Sequence, residues 1–102
     1  MMRAVIRFQI QPGAEDAFEA AFKDAGMFER PQLIEGFVSM ELIKSVEDST
    51  EYLVISTWEQ QKAYEAWQAI SSVEAPREAL KRLGDTLISP KPGKCYLVVG
   101  NS

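Results

Sequence analysis

The feature that most constrains this chain is a change of period near its start. Residues 3–10, RAVIRFQI, alternate strictly: Ala4, Ile6, Phe8 and Ile10 fall on one face, and Arg3, Val5, Arg7 and Gln9 on the other. Period two with two unlike faces predicts a β-strand between different environments. Gln11-Pro12-Gly13 breaks the strand. Residues 14–25 then switch to helical spacing, with Ala14, Ala17, Phe18, Ala21, Phe22 and Ala25 in one stripe. Glu15, Asp16, Glu19, Lys23 and Asp24 lie outside that stripe and read as a solvated face, not a metal site. Early acids suit the positive end of the helix dipole, Glu19 and Lys23 form a favourable i,i+4 pair, and Gly26 is a good stop.

The remaining segments repeat the alternation of types. Met27 to Glu35 contains Pro31 and reads as an irregular connection or a short helix. Residues 37–45 and 51–58 are strand-like, and the Asp48-Ser49-Thr50 turn between them predicts an antiparallel hairpin. Residues 60–70 put Ala63, Ala66, Trp67 and Ile70 on one helical face, with Tyr64 at its edge. Pro76 opens a further helix, PREALKRL, with Ala79, Leu80 and Leu83 inward and Gly84 as a cap, unless the helix runs on to Leu87. Pro90-Lys91-Pro92-Gly93 forces a loop, and residues 94–100 form a last strand in which Cys95 reads as a small buried hydrophobe. The order β-α-β-β-α-(α)-β predicts a ferredoxin-like, split-βαβ α+β domain over residues 1–102, with a four-stranded antiparallel sheet and helices on one face. Its other face, with Val5 beside Arg3 and Arg7, then meets water or packs on another sheet.

Composition narrows the chemistry. The chain has 102 residues, one cysteine, no histidine and a net charge of −4. Without histidine there is no Ser-His-Asp or Cys-His catalysis and no histidine-ligated zinc or haem iron. A lone cysteine cannot close an internal disulfide, which suits a reducing cytoplasm. The acidic balance argues against a nucleic-acid backbone as partner. No apolar run approaches the ~20 residues that span a bilayer, and MMRAVIRFQIQPG does not read as a signal peptide.

Several segments together resemble a known family. The first strand runs into Pro12 and a helix carrying Phe18 and Phe22, and Glu35-Gly36-Phe37 opens the second strand. The third strand ends in Ser56-Thr57-Trp58-Glu59, and a helix with Tyr64 and Trp67 follows before the Ser71-Ser72 break. In these features the chain resembles the antibiotic biosynthesis monooxygenase family of the dimeric α+β barrel superfamily, whose relatives include small haem-degrading enzymes. The resemblance implies a homodimer in which two sheets pack into a barrel. It also implies a pocket between sheet and helices for a flat, hydrophobic aromatic molecule such as a quinol.

The resemblance also suggests site residues. Haem-degrading relatives use a helix histidine, a first-strand asparagine and the strand-end tryptophan. Here residues 77–80 are Arg-Glu-Ala-Leu, the asparagine position is Ile6, and only Trp58 matches. Haem is therefore disfavoured, and no cofactor is expected. Cofactor-free relatives use an asparagine four residues before the tryptophan, the tryptophan, a helix tyrosine and an arginine beyond. Trp58 and Tyr64 match, Val54 stands at the asparagine position, and Arg77 or Arg82 could supply the arginine. The expected catalytic set is Trp58, Tyr64 and Arg77. The expected substrate-binding set is Ile6, Phe8, Phe22, Met27, Val54 and Trp67. Two rival expectations are a haem enzyme with a non-histidine ligand and a non-catalytic module that binds a hydrophobic metabolite or dimerises.

Overall fold

A computed structural model describes residues 1–89 and 92–102. The expected loop at Pro90-Lys91 thus lies outside the described residues. The chain runs through β1 (Met2–Gln9), α1 (Glu15–Asp24), a 3-10 turn (Arg30–Leu33), β2 (Phe37–Lys44), β3 (Glu51–Trp58), α2 (Gln61–Ser71), α3 (Arg77–Thr86) and β4 (Lys94–Leu97). The strands form one sheet in the order β2-β3-β1-β4, with every neighbouring pair antiparallel. This is the α+β arrangement that the sequence predicts.

β1 is central and fixes the faces. It pairs with β3 along its whole length, Met2 opposite Trp58 and Gln9 opposite Glu51. Opposed residues in an antiparallel pair share a face. Ala4, Ile6 and Phe8 therefore lie with Ser56, Val54 and Tyr52 beneath the helices, while Val5 and Ile55 lie on the opposite side. β3 shows the alternation cleanly: Tyr52, Val54, Ser56 and Trp58 are buried, and the residues between them are only half-buried.

Beneath the helices the core falls into two clusters. One gathers Ile10, Phe18, Phe22, Tyr52, Val54 and Leu83 from β1, α1, β3 and α3. The other gathers Met2, Ala4, Trp58, Ala63, Tyr64 and Trp67 around α2. Met27, just beyond α1, packs against both. Phe18 centres the first cluster, its ring 4.6 Å from Tyr52 and 5.5 Å from Phe8. The end of α3 is tied to the end of β1 by a bridge between Ile10 and Leu87 and a bond from the Gln11 N–H to the Thr86 carbonyl.

The structure settles one end that the sequence leaves open, that of α3, and corrects two readings in β4. α3 passes through Gly84 because Leu83 and Thr86 keep its buried face inward, while Gly84 itself is exposed and needs no support. β4 ends at Leu97, not residue 100, because its partner strand begins at Met2 and the pairing runs out there. Cys95 is exposed, not buried, because β4 is an edge strand whose residues are all exposed.

A polar link joins α1 to the sheet. The Tyr52 hydroxyl donates to the Glu19 carboxylate at 2.5 Å, and Lys44 pairs with the same oxygen at 3.2 Å. Burial, reinforced by Glu19, pushes the Tyr52 phenol well up, and the Tyr52 hydrogen bond holds Glu19 below its ordinary value. The lowered Glu19 stabilises the fold above the ordinary glutamate range, and that stabilisation is lost as pH falls through its lowered folded value. The raised Tyr52 stabilises the fold fully below its ordinary value of 10.0, and that is lost as pH rises through its raised folded value. Tyr52→Phe should therefore flatten the melting temperature against pH at both ends, as followed by circular dichroism. Phe18→Ala should cost about 3–5 kcal/mol in urea denaturation.

Candidate functional site

A cavity of about 200 Å³ lies in the seam between the two core clusters. Its floor is the sheet: Ile6 and Phe8 from β1, Val54 from β3 and Met40 from β2. The register sets Ile6 opposite Val54, and the period of two turns both toward the helices. The roof is helical: Phe22 from α1, Leu83 from α3, Trp67 and Ser71 from α2, and Met27 from the connection. All six residues expected to bind substrate thus line one hollow. Among the described residues Ser71 supplies the only hydroxyl of the lining, and none of the lining residues is ionisable. Another hollow, about 520 Å³ along α1 and the end of β2, is an open groove carrying Glu19, Lys23 and Lys44. The seam cavity is the apolar recess that suits a small hydrophobic guest.

The expected catalytic residues are placed differently. Trp58 is fully buried in the second cluster and does not line the cavity. Its indole N–H donates to Ser56 Oγ at 2.8 Å, and its ring meets Phe37 edge-on at 5.3 Å and Tyr64 at 5.7 Å. Tyr64, at the edge of the apolar face of α2, is buried. Burial, and after it the neighbouring Cys95, pushes its phenol up, against a hydrogen bond with Gln68. Gly93 closes over this corner: a Cβ there would stand 2.8 Å from Tyr64 Oη and 2.9 Å from Ile6 Cγ1. Ile6 thus touches both the Tyr64 corner and the cavity. Arg77 is exposed on the first turn of α3, and Arg82 pairs with Asp24 at 3.3 Å. Neither arginine lines the cavity.

The arginine beside the cavity is one that sequence reading passed over. Arg30 opens the 3-10 turn and donates to the Ala25 carbonyl at 3.1 Å, the Ser71 carbonyl at 3.0 Å and the Ile70 carbonyl at 2.8 Å. Its guanidinium also lies 5.1 Å from the centre of the Trp67 ring. Gly26 makes room for it: φ is +75°, and a Cβ there would come within 2.5 Å of Arg30 Cδ. Arg30 sits in an irregular connection, so no hydrophobic period marks it. Met40 and Leu83 follow from the strand and helix patterns, and Ser71 appears in sequence only as a break.

Comparison with known proteins places this geometry. The family model described as antibiotic biosynthesis monooxygenase matches residues 1–79. The chain belongs to that family. The match takes in β1 through α2 and the start of α3, hence every cavity residue except Leu83. Among solved structures, the chain is similar to SnoaB of Streptomyces nogalater, described as a cofactor-independent oxygenase, at 19% identity and a TM-score of 0.74, covering 98% of this chain and 94% of that one. It is similar to Rv0793 of Mycobacterium tuberculosis at 16% identity and a TM-score of 0.74, covering 99% and 97%. A conserved protein of Methanosarcina mazei gives 19% identity and a TM-score of 0.72, covering 93% and 89%. Comparison with curated protein sequences gives no match. At these identities the solved structures speak for the fold. Among the described residues, no helix is long and apolar enough to cross a membrane.

The Trp58–Ser56 pair gives a direct test of the second cluster. Ser56→Ala leaves a buried indole N–H without its acceptor and should cost about 1–3 kcal/mol in urea denaturation.

Proposed function

We propose that this family member is a cofactor-independent monooxygenase that oxidises a flat aromatic quinol held in the seam cavity. The observation that carries the reading is the cavity itself, a family-fold hollow walled by Ile6, Phe8, Phe22, Met27, Val54 and Trp67. An apolar recess is what the chemistry asks of the protein. A deprotonated dihydroxyarene is electron-rich enough to pass an electron to O₂, and a dry site protects the radical pair that results. The balance closes without an outside reductant. The quinol gives up four electrons, one oxygen atom enters the ring, and the other leaves as water, so a hydroquinone becomes a hydroxyquinone. Trp58 and Tyr64 act from the adjoining cluster beside the cavity, Tyr64 through the corner it shares with Ile6 and kept as a neutral phenol by its burial. Arg77, exposed in the free chain, contributes least to this reading.

The lack of an ionisable group among the described lining residues favours one alternative, a module that holds a hydrophobic metabolite without turning it over. Oxygen-electrode assays with model quinols separate the two. The proposal expects oxygen uptake above the buffer rate, abolished by Val54→Phe, which fills the cavity, and reduced by Tyr64→Phe. Binding without uptake would leave the alternative standing.

The same reading includes a homodimer formed through the uncovered sheet face. That face carries Val5 opposite Ile55 and Ile43 opposite Leu53, an apolar strip beside the Arg7–Glu51 ion pair at 2.7 Å. An apolar sheet face of this kind packs well on a second sheet. Sedimentation equilibrium should give twice the chain mass at micromolar concentration, and Ile55→Asp should return it to one.

A further inference from the structure

Resting on the reading of the seam cavity as the substrate site, we propose that Arg30 sets its size limit, so that the cavity takes an uncharged aromatic of at most two fused rings. The volume gives the first half of the argument. The cavity holds about 200 Å³. A dry engineered cavity of about 150 Å³ takes benzene, and pockets for larger ligands run from roughly 300 Å³ upward. A guest somewhat larger than one ring fits, and a three- or four-ring plate does not.

The lining gives the preference for an uncharged guest. Among the described residues no ionisable side chain lines the cavity, and the nearby guanidinium is engaged by three backbone carbonyls outside it. A carboxylate on the ring would lose its hydration without gaining a partner.

The clamp gives the limit. The cavity lies where α2 meets the α1–α3 half of the helical layer, and the two sides belong to separate core clusters. A seam of that kind widens by moving one side against the other. Arg30 ties the sides together, with one bond to the residue after α1 and two to the last turn of α2, while Trp67 lies against its guanidinium. Trp67, Ser71 and Met27 are the roof residues nearest these bonds in sequence, and all three line the cavity. Arg30 touches no guest. It is a positioning residue that decides how far the roof stands from the floor.

The test uses redox-stable probes and the full chain: phenol, 2-naphthol, 2-anthrol and 2-naphthoate, titrated by calorimetry and by quenching of tryptophan fluorescence. In the wild type, 2-naphthol should bind best, with 2-anthrol and 2-naphthoate each weaker by about tenfold or more, and Val54→Phe should remove 2-naphthol binding. Arg30→Met keeps the stem and loses all three bonds, and should raise the affinity of 2-anthrol relative to 2-naphthol by about tenfold. Arg30→Lys, which keeps the charge and part of the bonding, should fall between, and it decides the matter should Arg30→Met fail to fold. A general loosening would weaken both probes and leave their ratio alone. An unmoved ratio, or wild-type binding of 2-anthrol as tight as that of 2-naphthol, overturns the size limit and leaves the site reading intact. Failure of every probe to bind, or binding of 2-naphthol unaffected by Val54→Phe, overturns the site reading and the limit with it.

Discussion

Everything in this fold is referred to β1. Among the described residues it is the only strand paired on both sides by strands distant in sequence, with β3 along its full length and β4 over its first half. Its alternation sends Met2 and Ala4 into one core cluster and turns Ile6 and Phe8 toward the other. Because a strand's side-chain period is two, a one-residue slip would turn all of these to the opposite face. The long antiparallel ladder is what prevents the slip, and it sets the distance between the two halves of the core.

That distance explains why the hollow is where it is. Bulky aromatic groups fill each half: Phe18, Phe22 and Tyr52 in one, Trp58, Tyr64 and Trp67 in the other. The helices above follow the same division, because α1 packs with α3 while α2 packs on β3 and the 3-10 turn. Between the two halves the seam is walled by aliphatic side chains, by edges of the same aromatics (Phe8, Phe22 and Trp67) and by the Ser71 hydroxyl. Arg30 closes the seam on the outside with charge-assisted bonds to two carbonyls of the last turn of α2, of which that of Ile70 also accepts from the Glu74 N–H. The same linkage at the α2 terminus therefore holds the shape of the cavity.

Much of this was legible in the residues. RAVIRFQI announces a two-faced strand, and its inward members Ile6 and Phe8 do line the hollow. The helical stripe of α1 places Phe22 there, and the family resemblance drew attention to Val54 and Trp67. The polar groups were harder. Trp58 and Tyr64 stand out in sequence, yet the sheet carries Trp58 into the interior of the second cluster, off the cavity wall. Arg77 was marked by its position along the chain, but the turn before α3 leaves it on the exposed side. Arg30 carries no sequence signal, because its partners are backbone carbonyls 5 to 41 residues away.

The amino-acid order by itself determined the types of element, their succession and the apolar side of each, since those follow from local period and from turn residues. It also removed histidine-based chemistry outright, since no fold can supply a missing side chain. The three-dimensional structure alone decided that the core divides in two, that a cavity remains between the halves, and that Arg30 rather than Arg77 stands beside it. Those outcomes depend on which side chains meet across long stretches of chain, and on how fully they fill the space they share. Periodicity carries no information about either.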